Sequence, residues 1–310
     1  MNSFSMKAIQ IQAYGGSEVL EINENVSIPE PRNGQLFVDV RAASINPFDI
    51  MLVSGMLKEQ IPFTFPATVG GDFSGVVVKT GQEVYGTALL LTGGSGAFAQ
   101  KATVMQMNVA AKPSSIGFDQ AAALPLVGSS AVQALEEHMK LTKGQKILIH
   151  GGAGGIGHIA IQLAKALGAF VATTVKTKDQ EFVTGLGADE VIDYIKERFE
   201  EKIHDYDCVF DMVGGEVTAK SFVVLKKGGT LVSMVGLPDQ DLARKYEVIA
   251  IGQVTKTNTQ HLDRVRELVD SKKVSVHVDK FFPLEKVKQA WEHKASGHPQ
   301  GKVVVDLQKS

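Results

Sequence analysis

A chain of 310 residues is long enough for two domains with sizeable cores, and 44% hydrophobic with 21% charged residues is ordinary for a soluble globular protein. A net charge of −2 gives no basis for a nucleic-acid or anionic-membrane partner, and no stretch approaches about 18 continuous apolar residues. One cysteine, Cys208, excludes an intramolecular disulfide and a multi-cysteine zinc site; MNSFSMKAIQ lacks the apolar core of a signal peptide, so a cytoplasmic protein is expected.

Residues 1–112 hold short alternating runs at 6–12, 19–24, 35–43, 73–79 and 98–104, which read as strands. Glycine and proline punctuate them, as at Gly15-Gly16, 29–31 and Gly93-Gly94, so this half is predicted as a mostly antiparallel β domain. A short helix begins at Asn46-Pro47, with Asn as N-cap and Pro in the first turn. From Asp119 the pattern changes: 120–124 and 130–139 read as helices, the second opening at Ser130. Strands are expected at 146–150, 170–175, 190–193, 207–212, 229–235 and 247–254, with helices between most of them, including 215–226, and another at 259–270. Six strands alternating with helices imply an α/β fold with a Rossmann-type doubly wound parallel sheet. The tail returns to strand character at 274–278 and 301–307, with a helix at 284–294 between, and is expected to rejoin the first domain. The expected division is therefore 1–118 plus 272–310 for the β domain and 119–271 for the inserted one, with a cleft at the carboxyl ends of the parallel strands.

The most informative stretch is 146–178. Its first strand closes in Gly152, Gly154 and Gly157, a G-x-G-x-x-G at the mouth of a helix whose apolar residues Ile156, Ile159, Ala160, Leu163, Ala166 and Leu167 recur at helical period. Gly152 permits the tight turn, Gly154 lets backbone approach a pyrophosphate, and Gly157 lets the helix pack close to the strand; Gly155 and Ile156 complete the loop. Free N–H groups and the positive helix end suit the phosphates. At the end of the second strand stand Lys176, Thr177 and Lys178, where NAD sites usually carry an acid. Two ammonium groups and a hydroxyl donor suit the 2′-phosphate of NADPH; the bland alternative is a solvated basic turn. His150 reads as a structural histidine and Cys208 as inert core.

The chain resembles the zinc-independent quinone oxidoreductase branch of the medium-chain dehydrogenase/reductase superfamily. The carriers are AASINPFDI at 42–50, FPATVGGDFSGVV at 65–77, AALPLVGSSAVQAL at 122–135, the glycine loop, GADEVIDY at 187–194, DMVGG at 211–215, and FPLEKVKQAWE with GKVVV in the tail. The resemblance implies a GroES-like β domain beside the Rossmann domain, an NAD(P)H-dependent activity, and a homodimer, for which 247–254 is a candidate edge strand. Zinc-dependent members place a cysteine ligand in the region matching 44–49 and a histidine in a Gly-His-Glu triplet; here stand Ser-Ile-Asn-Pro-Phe-Asp and Gly71-Asp72, so no metal is expected. Asp72 reads instead as a buried hydrogen-bonding or turn residue. Residue roles follow from the same resemblance. Asn46 faces nicotinamide and substrate as the catalytic amide, although an N-cap explains it too. Ser130 lies near the cofactor or caps its helix. Tyr194 lies near the adenosine phosphate end, and Val213, Gly214, Val235 and Gly236 offer backbone groups to the carboxamide. Two features depart from the family: the short turn KTGQ at 79–82, and Ile50-Met51-Leu52 where many quinone reductases carry a tyrosine, which makes the substrate wall more apolar.

The resulting expectation is an NADPH-dependent reductase of a small quinone or related conjugated carbonyl, with no nucleic-acid or membrane partner. An alkenal or enoyl-thioester reductase and a non-catalytic NADPH-binding regulator remain open.

Overall fold

Strand Gln35–Ile45 organises the first half of the computed structural model, which describes residues 5–297 and 299–308. From Phe37 its side chains alternate between half-buried and buried, and from Ala42 to Ile45 four consecutive residues are buried because both faces are covered. It pairs antiparallel with Asp72–Val77 on one side and with the tail strand Lys302–Asp306 on the other. The full sheet has seven strands, running Val278–Pro283, Lys302–Asp306, Gln35–Ile45, Asp72–Val77, Glu83–Thr87, Val109–Ala111, with Lys101–Met105 also on Gln35–Ile45. A smaller sheet joins Glu21–Ser27, Ser5–Ile11 and Ala67–Thr68. Phe73, Phe98, Trp291 and Val303 belong to one apolar core beneath them. The strand expected at 274–278 lies instead at Val278–Pro283, sharing only Val278 with it, and helix Val287–Ala295 follows.

The second unit is a six-stranded parallel sheet in the order Glu190–Asp193, Phe170–Val175, Lys146–His150, Tyr206–Asp211, Leu225–Ser233, Ile249–Gly252. After Lys146 the first strand is buried throughout, as a strand covered on both faces requires. Strand order reverses between Lys146–His150 and Tyr206–Asp211, the position at which doubly wound sheets bind ligands. Helix Gly157–Ala166 and strand Phe170–Val175 complete the βαβ unit around the glycine loop.

By contact, the first unit comprises residues up to Leu126, Thr257–Asp270 and those from Val276 onward; the second comprises Val127–Lys256 and Ser271–Ser275. Residues 119–126 and 257–270, assigned above to the nucleotide domain, therefore fall in the first unit. Helix Thr259–Asp270 is tied there by Thr259 donating to the Val109 carbonyl (2.9 Å), Tyr85 donating to the Leu262 carbonyl (2.5 Å), and Asp270 accepting the Ser115 N–H (3.0 Å). Its amphipathic pattern could not say which core would take its apolar face. Among the described residues no helix is long and apolar enough to cross a membrane.

Candidate functional site

In the second unit, a strand that is buried to its end delivers the glycine loop. A methyl group on Gly157 would stand 2.7 Å from Gly152 Cα, and one on Gly152 would run into Thr173 Oγ1 and Ile161, so both glycines serve close packing. Gly154 differs: its methyl would meet nothing nearer than the Gly151 carbonyl oxygen at 3.3 Å. Ile156 occupies the N-cap of helix Gly157–Ala166 and supplies no side-chain cap. The expectation of free N–H groups is corrected in part: Gly152 N donates to the Thr174 carbonyl (3.3 Å), Gly154 N to the Gly151 carbonyl (3.0 Å), and His158 N and Ile159 N to the Gly154 (3.1 Å) and Ile156 (3.2 Å) carbonyls.

His150 anchors this loop from below. Ser221 Oγ donates to the Val217 carbonyl (2.7 Å), so it can only accept from His150 Nε2–H at 3.0 Å. Nδ1 is then the acceptor for the Thr174 hydroxyl (3.0 Å), whose oxygen also receives the Gly151 N–H (3.4 Å). Burial holds the imidazole neutral by pushing its pKa down to about 4, against the opposing pull of Asp211 and Glu200. The Cys208 thiol is buried and pushed up to about 12, which leaves it inert.

The loops after the strands converge. A methyl on Gly151 would touch Val213 Cγ2 at 3.7 Å, one on Gly214 would press on Val235 Cγ2 at 2.8 Å, and one on Gly252 would meet the Gly236 carbonyl at 3.0 Å. Gly152, Gly154, Val213, Gly214, Val235 and Gly236 thus lie at one end of the sheet, where Val213 and Val235 remain half exposed. Their N–H groups are largely engaged. Asp211 Oδ1 accepts from Val213 N (2.8 Å) and Gly214 N (3.2 Å), and Ser233 Oγ accepts from Val235 N (3.2 Å). The expectation that this backbone binds a carboxamide is corrected to that extent, since those donors are already in use.

At the far side of the loop, Lys176 caps the short turn Thr177–Asp179. The Thr177 hydroxyl donates to buried Asp193 Oδ2 at 2.5 Å, so it does not donate to a phosphate as expected. Asp193 also accepts from Gln180 Nε2 (3.2 Å) and Ile195 N (3.1 Å). The Thr177 hydrogen bond, first among several, holds the Asp193 carboxyl below its ordinary range. Lys178 is exposed and Tyr194 half exposed beside this anchored turn. Ser130 is fully buried inside helix Pro125–Val132, which starts at the proline, so the expected N-cap role at Ser130 is corrected. Its hydroxyl shares a 2.7 Å hydrogen bond with Thr255.

In the first unit, register brings three strand ends together. Asp72 lies opposite Ser44, and Val303 opposite Ile45, so Asn46, Asp72 and Lys302 meet at one end of three adjacent strands. Asn46 Nδ2 donates to Asp72 Oδ2 at 2.9 Å, while Lys302 Nζ donates to Asn46 Oδ1 and stands 3.8 Å from Asp72 Oδ2. An ammonium only donates, so the orientation of the Asn46 amide is decided. Asn46 occupies the N-cap position of helix Pro47–Val53, and Asp49 Oδ2 accepts its N–H at 2.7 Å. All four side chains are at least nine-tenths buried. Burial pushes Asp49 up to about 7 and raises Asp72, and burial lowers Lys302, whose charge the two carboxylates favour in return. Asp49 also borders an otherwise largely apolar pocket with Leu52, Val53, Phe63, Val69 and Leu89.

Lys302 and the Asp72 partnership are what reasoning from the chain missed; the only signal was a lysine opening an otherwise apolar final strand. A positive side chain between two carboxylates does not suit a divalent cation. Among the described residues no three His, Cys, Asp or Glu side chains cluster as metal ligands.

A family model described as alcohol dehydrogenase GroES-like domain matches residues 32–114, and one described as zinc-binding dehydrogenase matches 186–305. Over 317 aligned residues the chain is 35% identical to the chloroplastic NADPH-dependent alkenal/one oxidoreductase of Arabidopsis thaliana, covering 97% of this chain and 79% of that protein. The chain belongs to the medium-chain dehydrogenase/reductase superfamily, in its zinc-independent quinone oxidoreductase branch. Its structure is similar to that of the quinone oxidoreductase of Coxiella burnetii, with a TM-score of 0.89 at 32% identity, covering 98% of this chain and 99% of that one. It is also similar to the Escherichia coli quinone oxidoreductase complexed with NADPH, with a TM-score of 0.86 at 25% identity over 97% of this chain and all of that one. Within this superfamily the zinc in the second model's description has no counterpart in the donor set around Asn46, Asp49 and Asp72.

Proposed function

We propose that this chain is an NADPH-dependent, zinc-independent oxidoreductase that passes hydride to quinones or related conjugated carbonyls. The observation that carries the reading is the Lys302 ammonium seated on the Asn46 amide oxygen. It supplies a fixed positive charge where metal-dependent relatives need a ligand set, and it polarises the Asn46 N–H groups. One of these N–H groups holds Asp72; the other is the donor we assign to the acceptor's oxygen as charge gathers there.

When bound, NADPH supplies the hydride. The chain does the rest. Gly155, Ile156 and Gly157 receive the pyrophosphate on their N–H groups, Gly152 and Gly154 let the backbone come close, and Lys176 and Lys178, with Tyr194 alongside, receive the 2′-phosphate. Val213 and Val235 present apolar surface to the ring. A conjugated acceptor delocalises the incoming charge and takes its proton from water, so no dedicated acid is required. Isolated ketones lack that delocalisation and find no Lewis acid here, and react poorly.

The apolar pocket beside Asp49 and the likeness to the alkenal/one oxidoreductase favour alkenals as a second substrate class. A homodimer through the sheet edge at Ile249–Gly252 fits the exposure of Ile249 (56%) and Val254 (84%). A reducing compartment such as the cytoplasm suits the single buried thiol.

The test is NADPH oxidation measured with a quinone, an enone and a saturated ketone. Turnover of either conjugated class, with the ketone slowest, is expected. Preference for the ketone rejects the mechanism, and inertness toward both conjugated classes points instead to a cofactor-sensing regulator. Metal analysis finding one zinc per chain, removed together with activity, rejects the metal-free assignment.

A further inference from the structure

We infer that Gln253 binds the carboxamide of the nicotinamide ring, an inference that rests on the NADPH reading above. Gln253 follows strand Ile249–Gly252 at the carboxyl end of the parallel sheet. Its backbone is fixed by its own N–H on the Ser233 carbonyl at 2.8 Å. Its side-chain Nε2 donates to the Ser130 carbonyl at 3.1 Å. A backbone carbonyl can only accept, so the amide cannot be turned over, and Oε1 is the atom left pointing elsewhere.

That oxygen is buried and has no hydrogen-bond partner, although the residue is only 6% exposed. Buried acceptors are nearly always satisfied, and an unsatisfied one at the ligand end of a doubly wound sheet calls for a donor brought by the ligand. The position is right for the ring: Gly252 packs on Gly236 and Leu237, and Gly236 follows Val235 in the converged loops. The chemistry is also right. The N–H groups of Val213, Gly214 and Val235 are engaged, so the surroundings offer an acceptor more readily than a donor. The carboxamide has an NH2 to give. The segment is held from behind by Gln133, which donates to the Val254 carbonyl (3.2 Å) and accepts the Lys256 N–H (2.9 Å). Gln253 is thus a rigid acceptor, which is what orienting a rotatable amide requires.

The experiment is equilibrium binding without any hydride acceptor, by calorimetry or nucleotide fluorescence. The ligands are NADPH, 2′-phospho-ADP-ribose, which lacks the ring, and NADP with its 3-acetylpyridine analogue, which lacks the amide NH2. The wild type should bind the acetylpyridine analogue about tenfold more weakly than NADP, as loss of one buried hydrogen bond implies. Gln253→Leu should weaken NADPH about tenfold, leave 2′-phospho-ADP-ribose within roughly twofold, and weaken the acetylpyridine analogue no further. Gln253→Met repeats the test if the leucine variant does not fold. Equal loss for NADPH and 2′-phospho-ADP-ribose, or equal wild-type affinity for NADP and the acetylpyridine analogue, overturns the assignment while leaving NADPH binding intact. Failure of the wild type to bind either NADPH or 2′-phospho-ADP-ribose overturns both readings together.

Discussion

Lys302 and Asn46 are 256 positions apart in sequence and joined by a direct hydrogen bond from ammonium to amide oxygen. The contact exists because the strands that carry them flank one another, and it places a cation in the interior with Asp72 and Asp49 as its counterweights. Replacing it by methionine leaves Asp72 buried without its positive partner. Lys302→Met is expected to cost about 3–5 kcal/mol in urea unfolding, and Asp72→Asn in the same chain to restore part of that. Strictly additive losses would mean that the two groups are not coupled.

Within the glycine triplet, the three positions should separate into two classes. Gly157→Ala forces backbone against backbone and should destabilise by about 1–3 kcal/mol. Gly154→Ala meets nothing closer than 3.3 Å and should melt close to the wild type, yet weaken NADPH at least about tenfold if this loop receives the pyrophosphate as proposed. Wild-type NADPH affinity in Gly154→Ala would refute the assigned phosphate site.

Cofactor choice should follow the turn anchored by Asp193. NADPH is expected to bind roughly 100-fold more tightly than NADH if Lys176 and Lys178 each make a charge-assisted contact. Alanine at both positions should bring the ratio below about tenfold, read from paired titrations. Equal affinities in the unaltered protein would remove the basis for NADPH.

His150 gives a pH signature. Its folded-state pKa lies near 4, below that of an exposed imidazole, so between about pH 4 and 6.5 the unfolded chain binds a proton that the folded chain refuses. Stability contributed by neutral His150 is present above that window and is lost as pH falls through it. The stability advantage of the wild type over His150→Gln should therefore shrink on acidification, by on the order of 2 kcal/mol near pH 4.5. A gap in melting temperature that stays constant with pH would show that the imidazole does not titrate between the two states.

The parallel strands were legible because most carry a short run of β-branched and apolar residues, such as 147–149, 208–210 and 249–251, and a strand buried on both faces leaves that mark. The glycine loop was legible because its spacing is itself the geometry. Other features were not, for reasons that are equally physical. Asn46 stood out, but its partners depend on which strands flank it and in what register, and neither is written near position 46. Lys302 reads as one more solvated lysine until its neighbours are known. The hydroxyl of Thr177 and the amides of Val213 and Gly214 looked available, and only the positions of Asp193 and Asp211 reveal them as engaged.

The tail strand Lys302–Asp306 has a consequence for the order of assembly during synthesis. Every strand of the parallel sheet has left the ribosome once Gly252 has emerged, so a nucleotide can find its loop early. The polar cluster around Asn46 must wait for residue 302, and until then Asp49 and Asp72 have no cation between them. A nascent chain would thus complete its parallel sheet before the cation of that cluster is in place.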